Sequence, residues 1–182
     1  MNEDSLYIER FLSGENSAFE ALVRKYQNRV LNIVYSLIGK DRESEDIVQD
    51  VFLKVYHGLE SFNGRSRFST WLYRITVNTT YDFLRRRRRF ISDELTIEKT
   101  ASGYGGPQEE LLEKEKQELL KKALGNVPLK YRAALVLRDI EGLDYATIAQ
   151  VLHCRLGTVE SRIYRGRQIL KQELFRWRGE TL

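Results

Sequence analysis

The fold is decided by one stretch of the chain, Tyr145–Arg167, which reads YATIAQVLHCRLGTVESRIYRGR. Its apolar residues recur three and four apart in two short runs, as on two helices that share a core. The two runs are Ile148, Ala149 and Leu152, then Val159 and Ile163. The chain between them has room only for a tight turn. The stretch therefore predicts a helix, a turn and a second helix packed on the first.

The outward side of the second helix is polar and basic, with side chains that suit phosphates and base edges. These side chains are Ser161, Arg162, Tyr164, Arg165 and Arg167. Such a helix, braced by a shorter one across a tight turn, is typical of a helix-turn-helix that reads duplex DNA. His153 lies in the turn, and histidine is one of the few non-glycine residues enriched at positive φ, so we expect the turn to form.

The composition is that of a globular protein with room for one ordinary domain or two small ones. The chain has 182 residues, of which 42% are hydrophobic and 31% charged. No apolar run reaches the ~18–20 residues that span a bilayer, and the first residues lack a signal-peptide pattern. We therefore expect a cytoplasmic protein without membrane insertion. The single cysteine, Cys154, excludes an internal disulfide and fits a reducing compartment.

Charge is distributed in blocks, which the net charge of +4 conceals. Residues 1–60 carry 7 basic and 11 acidic side chains, and residues 61–89 carry 8 and 1. Residues 90–128 carry 5 and 8, and residues 129–182 carry 10 and 6. Two basic blocks alternate with two acidic ones, which predicts two separate polyanion-binding surfaces. The acidic first block needs a role other than holding nucleic acid.

Helical periodicity covers nearly the whole chain. Before the opening stretch we expect helices over 5–13, 17–39, a segment following Asp41, about 69–88, about 107–124, and from Pro128 towards Gly142. Ser17 and Glu20 predict a capping box for the second helix, and Asp41 predicts an N-cap for the third. Gly14 can end the first helix in the left-handed conformation.

Residues 90–107 lack sustained periodicity and are rich in serine and glycine, which indicates a flexible linker. The sequence therefore predicts an all-α protein of two small helical domains, residues 1–89 and 108–182, joined by residues 90–107.

Three segments together resemble one protein family. They are EDIVQDVF at Glu45–Phe52, FSTWLYRITVN at Phe68–Asn78, and GTVESR at Gly157–Arg162. In this order, and flanking a linker, they resemble the extracytoplasmic-function group of bacterial sigma factors, in the sigma-70 family, close to the envelope-stress type. The resemblance covers about residues 5–89 and 108–175. It implies sigma domains 2 and 4, no catalysis and no cofactor, and a function in directing core RNA polymerase to promoters and opening them.

Asp46, Gln49 and Asp50 are spaced to share one helix face, while Ile47 and Val51 turn inward. Such a face is either a solvated acidic surface or a dock for a basic partner helix. The resemblance favours the dock and identifies the partner as the coiled coil of the polymerase β′ subunit. It also implies a contact between domain 4 and the β flap.

Residues 62–89 combine aromatic side chains with arginines, as binding of unpaired bases requires. By resemblance, the loop around 63–68 holds a flipped base of the −10 element, and Asn78 reads bases there. The candidate −10 contacts are Phe62, Asn63, Arg67, Phe68, Arg74, Asn78, Arg85 and Arg86. We expect Trp71, Leu72 and Ile75 to be packing residues. The run Arg85–Arg89 is either a solvated charge run or, as we favour, a set of phosphate contacts.

By resemblance, the second helix of the opening stretch enters the major groove at the −35 element. The candidate contacts are Arg155, Thr158, Glu160, Ser161, Arg162, Tyr164, Arg165 and Arg167, with Arg155 and Arg167 assigned to phosphates. Glu160 departs from the family, which commonly has Lys or Arg there. Either Glu160 accepts from a cytosine amino group, or it pairs with a neighbouring arginine and contacts no DNA.

Two other functional classes fit the sequence less well. A stand-alone helix-turn-helix regulator would need neither the acidic face nor the aromatic and basic helix. An enzyme acting on nucleic acid would need a phosphate loop, a metal cluster or a nucleophile with its base, and none is apparent in the sequence. The neighbouring His153 and Cys154 lack the further ligands that a metal site needs, so we expect no metal there and a buried thiol. The family also implies an anti-sigma partner, often anchored in the membrane, and association with the nucleoid when active.

Overall fold

The computed structural model describes residues 3–39, 42–93 and 119–179, and the regular structure within these ranges is entirely helical. The helices are α1 (Glu3–Leu12), α2 (Asn16–Ile38), α3 (Arg42–Gly58), α4 (Phe68–Asp93), α5 (described over 119–126), α6 (Leu129–Leu135), α7 (Tyr145–Val151) and α8 (Leu156–Gly179). A 3₁₀ turn, Leu59–Ser61, follows α3, and a π-helical segment, Val136–Ile140, continues α6. The all-α prediction is confirmed. Within these ranges no helix is long and apolar enough to cross a membrane.

Helices α1–α4 form an N-terminal bundle around α2, which packs against each of the other three. The inward face of α2 repeats every three or four residues, as an amphipathic helix requires. Its fully buried members include Leu22, Val30, Ile33, Val34 and Leu37. Each such side chain contributes about 1.5–3 kcal/mol when buried. From α3, the buried residues Ile47, Val51 and Val55 close the core.

A buried carboxylate ties α1 to α2. Asp4 is 4% exposed, and it accepts hydrogen bonds from the Tyr26 hydroxyl at 2.7 Å and from Lys25 Nζ at 2.6 Å. A buried charge needs such partners, because an unpaired one would cost several kcal/mol, on the order of 3–5. The contact therefore anchors the beginning of α1.

The predicted capping box at Ser17 and Glu20 is wrong. Helix α2 begins one residue earlier, and its N-cap, Glu15, makes no capping bond through its side chain. The Glu15 carboxylate is held by Arg10, with Nε to Oε2 at 2.7 Å, and the Ser17 hydroxyl donates to it at 2.9 Å. Ser17 therefore lies inside the first turn of α2 and not at its N-cap, where a side-chain oxygen would accept from a backbone amide. Gly14, by contrast, has the positive φ expected of it, 101°, and Asp41 lies outside the described residues.

Helix α4 continues to Asp93, past the predicted end near Arg88 and into the first residues of the predicted linker. Arginine is a good helix former, so a run of arginines does not by itself end a helix. An ion pair also holds the turn of α4 that contains Arg87, since Arg87 Nη1 lies 2.9 Å from Glu43 of α3. Residues 94–118, with the rest of the predicted linker and most of the predicted fifth helix, lie outside the described residues.

Helices α5–α8 form a C-terminal bundle in which α8 packs against α6 and α7. The predicted stripes face the core, since Ile148, Val159 and Ile163 are at most 1% exposed, while Ala149 and Leu152 are half-buried and pack against it. Asp144 caps α7 by accepting from the Thr147 amide at 2.7 Å. The turn residue His153 has a φ of 46°, as the sequence analysis anticipated. Helices α6 and α8 approach closely at Gly166, where an added Cβ would lie 2.9 Å from Leu135 Cγ.

The two bundles pack against each other. Helix α4 contacts α7, and α2 contacts α6 and the π-helical segment. Across this boundary the Tyr81 hydroxyl donates to the Leu129 carbonyl at 3.4 Å, and Arg132 donates to the Leu37 carbonyl. Burial raises the pKa of the Tyr81 hydroxyl to about 12. The boundary is therefore a packed and partly dehydrated surface.

Candidate nucleic-acid interface

The predicted acidic face of α3 is present. Asp46, Gln49 and Asp50 are all exposed, while Ile47 and Val51 point into the core. Leu53 continues the same face one turn later and is 56% exposed. Leu53 is absent from the predicted face, although it lies three residues after Asp50 and four after Gln49, the spacing that places residues on one side of a helix. The face thus offers charge at one end and apolar surface at the other.

The apolar end of this face is supported by an aromatic cluster. Tyr56, 40% exposed, contacts Phe11 and Phe19 edge-on, with both ring centroids 5.1 Å away. Edge-to-face pairs of this kind add about 0.5–1.5 kcal/mol beyond the area they bury. Helices α1, α2 and α3 are therefore held together directly beneath the surface that a partner would contact.

The candidate −10 residues divide into a buried support and an accessible layer. Phe68 is 3% exposed and lies beneath Phe62, with ring centroids 6.0 Å apart. Phe62 is half-buried and tilts onto Trp71 at 5.1 Å. Phe68 has no free surface for a base in this conformation, whereas Phe62 keeps one side accessible.

The loop before α4 is shaped by its own side chains. Asn63 Oδ1 accepts from the Arg65 amide at 3.2 Å, an Asx turn. Gly64 follows with a φ of 68°, which favours glycine. The turn leaves Asn63 and Arg67 exposed beside Phe62.

On α4, the exposed Asn78 lies one turn after the half-buried Arg74, so both can face one strand of nucleic acid. Farther along, Arg85 and Arg86 are exposed. Arg85 lies 3.8 Å from Asp82, a contact weakened by solvent. These two arginines extend the basic surface from the loop along α4.

The candidate −35 residues lie along the accessible side of α8 and in the turn before it. Arg155, Glu160, Ser161, Tyr164, Arg165 and Arg167 are exposed, and Thr158 and Arg162 are half-buried. Tyr164 is 66% exposed. Six of the eight predicted residues are therefore exposed and two are half-buried, while Val159 and Ile163 lie on the inner side of the helix.

Several of these arginines already have partners within the bundle. Arg167 Nη2 lies 2.6 Å from Asp139 Oδ1 and its Nε lies 3.2 Å from the other oxygen. A hydrogen bond with Arg165 lowers the pKa of the Tyr131 hydroxyl. Arg162 Nη1 lies 3.8 Å from Cys154 Sγ, and this thiol is half-buried where the sequence predicted a buried one.

Glu160 makes no ion pair with any residue in the described part of the chain, so the structure gives no support to the alternative in which a neighbouring arginine neutralises it. Its carboxylate is exposed on the outer face, beside Ser161 and one turn before Tyr164. Within the described ranges no group of three or more potential metal ligands occurs.

Two family descriptions match the chain. Residues 22–90 match Sigma-70 region 2, and residues 117–170 match Sigma-70, region 4. Among curated proteins, the ECF RNA polymerase sigma-E factor of Haemophilus influenzae is 34% identical over 180 residues, covering 94% of this chain and 95% of that protein. The sigma-E factor of Escherichia coli K12 is 36% identical over 180 residues, covering 94% of each.

Two solved structures are also similar. CnrH, in complex with the cytosolic domain of CnrY, has a TM-score of 0.73 at 25% identity, covering 96% of this chain and 99% of that one. The sigma factor RpoE of Bartonella quintana, in complex with the anti-sigma factor NepR, has a TM-score of 0.70 at 28% identity, covering 86% and 96%.

Proposed function

The chain belongs to the extracytoplasmic-function sigma factors of bacterial RNA polymerase, and from this premise we propose how its two helical bundles divide the work of starting transcription. Members are transcription initiation factors and not enzymes. The protein binds core RNA polymerase and directs it to promoters through the −35 and −10 elements. The observation that carries the division of labour is that one chain presents three separate exposed surfaces, on α3, on α4 with its preceding loop, and on α8.

The α3 face docks on core polymerase. Asp46, Gln49 and Asp50 supply acceptors for a basic helix, which we assign to the β′ coiled coil, and Leu53 supplies apolar area beside them. Charge complementarity of this kind steers association and fixes register. The C-terminal bundle contacts the β flap, so the two bundles are held at separate places on the enzyme.

The loop and α4 capture the melted −10 element. Phe62 stacks on an unpaired base, a contact worth about 1–3 kcal/mol. Asn63 and Asn78 supply hydrogen-bonding groups for base edges, while Arg67 and Arg74 hold the backbone. Phe68 supports Phe62 from beneath. Arg85 and Arg86 bind phosphates and add affinity with little sequence information.

Helix α8 enters the major groove of the −35 element. Ser161, Arg162, Tyr164 and Arg165 face base edges, while Arg155, Thr158 and Arg167 position the backbone. Glu160, which has no ion-pair partner among the described residues, accepts from the amino group of a cytosine. This contact gives the chain a −35 base preference that differs from that of family members with Lys or Arg at this position.

Control by an anti-sigma factor is part of the same proposal, because the Bartonella RpoE is described in complex with the anti-sigma factor NepR, and CnrH in complex with the cytosolic domain of CnrY. We further propose that the inhibitor is anchored in the membrane and that the protein works in the cytoplasm, at the nucleoid when active. Co-purification that recovers polymerase and no inhibitor would contradict this part.

Run-off transcription from a promoter library tests the proposed function. Core polymerase with the protein should give transcripts that core polymerase alone does not, while the free protein should bind duplex promoters weakly. Tight, sequence-specific duplex binding without polymerase would instead identify a stand-alone regulator. If no promoter in a sufficiently large library gains transcripts, the proposed function is wrong.

A further inference from the structure

A buried acidic side chain of α1 lies behind the loop that is proposed to hold the flipped base. Asp4 is buried, and together with Ser5 and Ile8 it lines a cavity of about 800 Å³. Residues 64–69, which form the loop before α4 and the beginning of that helix, line the same cavity. Helix α1 therefore lies beside the base-holding loop, and none of the contacts proposed above uses Asp4.

A row of three aromatic rings connects Asp4 with the loop. Asp4 Oδ2 accepts from the Tyr26 hydroxyl at 2.7 Å, and the Tyr26 ring meets Phe68 edge-on, with ring centroids 5.5 Å apart. Phe68 in turn meets Phe62 edge-on, with centroids 6.0 Å apart. The aromatic row Tyr26, Phe68 and Phe62 thus joins the buried carboxylate to the ring that is proposed to stack on a base.

Packing alone does not fix these rings, because all three members of the aromatic row line the cavity. A ring with open space on one side can shift into that space unless another contact holds it. The bond to Asp4 holds the outer end of the Tyr26 ring, and charge-assisted bonds of this kind are roughly twice as strong as neutral ones. Burial and the bond to Asp4 raise the pKa of the Tyr26 hydroxyl, so the hydroxyl keeps the proton that it donates.

The contacts of Lys25 distinguish the anchoring of α1 from the positioning of the aromatic row. Lys25 Nζ lies 2.6 Å from Glu3 Oε2 and 2.6 Å from Asp4 Oδ1, so both carboxylates tie α1 to α2. The Glu3 side chain is exposed, and its other oxygen accepts from the Tyr7 hydroxyl at 3.3 Å. Of the two carboxylates, Asp4 is the one that bonds Tyr26. The two acidic residues therefore share one role, and Asp4 has a second.

We propose that Asp4 is a positioning residue for base capture, which holds Phe62 in place for stacking through Tyr26 and Phe68. This inference rests on the proposed assignment of Phe62 to an unpaired base. A ring that is already in position loses less conformational freedom when the base binds, so it holds the base more tightly. Loss of the Asp4 carboxylate should therefore impair promoter opening without impairing assembly of the holoenzyme.

The first test measures the aromatic row in the full-length protein. The centroid of the Trp71 ring lies 5.9 Å from that of Phe68 and 5.1 Å from that of Phe62. In a Trp177→Phe background Trp71 is the only tryptophan of the chain, so its fluorescence reports the packing of these rings. Asp4→Ala should increase the quenching of this fluorescence by acrylamide in the folded protein, because the released rings admit the quencher.

Two variants at the same end of α1 serve as controls. Glu3→Ala removes an ion pair to the same lysine, Lys25, and leaves the Tyr26 bond in place, so the quenching of Trp71 should stay as in the wild type. Asp4→Asn keeps an oxygen that accepts from Tyr26 and should restore most of the wild-type quenching. Equal quenching in Asp4→Ala and Glu3→Ala would show that Asp4 anchors α1 and does not position the aromatic row.

The second test measures promoter opening by the holoenzyme, followed by permanganate reactivity of the −10 bases. Asp4→Ala should slow opening roughly three- to tenfold, as for the net loss of one hydrogen bond, with unchanged affinity for core polymerase. Because Asp4 acts through Phe62, the effects of the two residues should not add. In a Phe62→Ala background, Asp4→Ala should therefore cause no further loss. Additive losses, as a general loss of stability would give, contradict the proposal.

Tyr26→Phe removes the same hydrogen bond from its other side and leaves the ion pair of Asp4 with Lys25 in place. It tests the proposal even where Asp4→Ala does not fold, and it should reproduce both the slower opening and the increased quenching. If neither variant alters opening while Phe62→Ala impairs it, Asp4 has no positioning role and the −10 assignment stands. If Phe62→Ala itself leaves opening unchanged, the −10 assignment fails and the positioning role fails with it.

Discussion

The two surfaces that we propose to read DNA, one for the −10 element and one for the −35 element, are built in opposite ways. At the −10 surface a half-buried aromatic ring, Phe62, rests on the buried Phe68 and beside Trp71. At the −35 surface, exposed side chains project from α8, and the buried residues only hold the helix in place. A flipped base needs a prepared apolar floor, whereas base edges in a groove need polar groups that reach outward. Capture of a melted base therefore requires buried aromatic rings beneath the contact, whereas recognition of base pairs requires only that the core hold the helix in place.

The largest expected effect is at Phe62, the aromatic ring that we propose to stack on an unpaired base. Phe62→Ala should reduce promoter opening by roughly 10- to 100-fold, because a stacking contact of about 1–3 kcal/mol is lost. The measurement is run-off transcription together with permanganate reactivity of the −10 thymines. Phe62→Tyr keeps the ring and should retain most activity. If the defect is one of base capture, it should shrink on a template that is already unpaired at −10; an equal defect there would contradict the assignment.

The next effect tests the scaffold beneath the −35 surface. Gly166→Ala should lower the free energy of unfolding by roughly 1–3 kcal/mol, because its Cβ would meet the buried Leu135. Gly157→Ala on the same helix meets nothing within 4 Å, and it should be neutral or stabilising by up to about 1 kcal/mol. Chemical denaturation measures both variants. Equal behaviour of the two would show that close packing does not limit α8.

A smaller and more specific effect is expected at Glu160. Glu160→Lys should abolish the preference for cytosine at one −35 position, changing the ratio of transcription from matched and mismatched promoters by roughly three- to tenfold, as for part of a direct base contact. Glu20→Lys changes the net charge equally, far from α8 along the chain, and should leave base preference unaltered. Selection from a −35 library measures the preference. If Glu160→Lys leaves the −35 base preference unchanged, the glutamate does not contact a base.

The smallest effect belongs to the phosphate contacts. Arg86→Ala should weaken promoter binding of the holoenzyme about two- to threefold at moderate salt and reduce the salt dependence by about one counterion. Base preference should stay the same at both elements, because a phosphate contact carries no sequence information. A titration over several salt concentrations checks this, and a shift in base preference would mean that Arg86 reads bases.

Much of the fold and of the candidate site could be predicted because the signals are local. The stripes Ile148 to Leu152 and Val159 to Ile163 place both helices of the reader within a few turns of chain. The exposed face of Asp46, Gln49 and Asp50 follows from the same periodicity. Local spacing also suggested a capping box at Ser17, which is wrong, because α2 begins at Asn16 and Ser17 lies inside its first turn.

The sequence by itself determined the helices, the turn at His153 and the outward faces that we propose to contact polymerase and DNA, since each depends on residues within about one or two turns of one another. The tertiary structure alone decided that Phe68 is buried beneath Phe62, that Asp4 is buried, and that the two bundles meet at Arg74 and His153. Arg74 and His153 are 79 residues apart in the chain. No periodicity relates such residues, so only the packing of whole helices could bring them together.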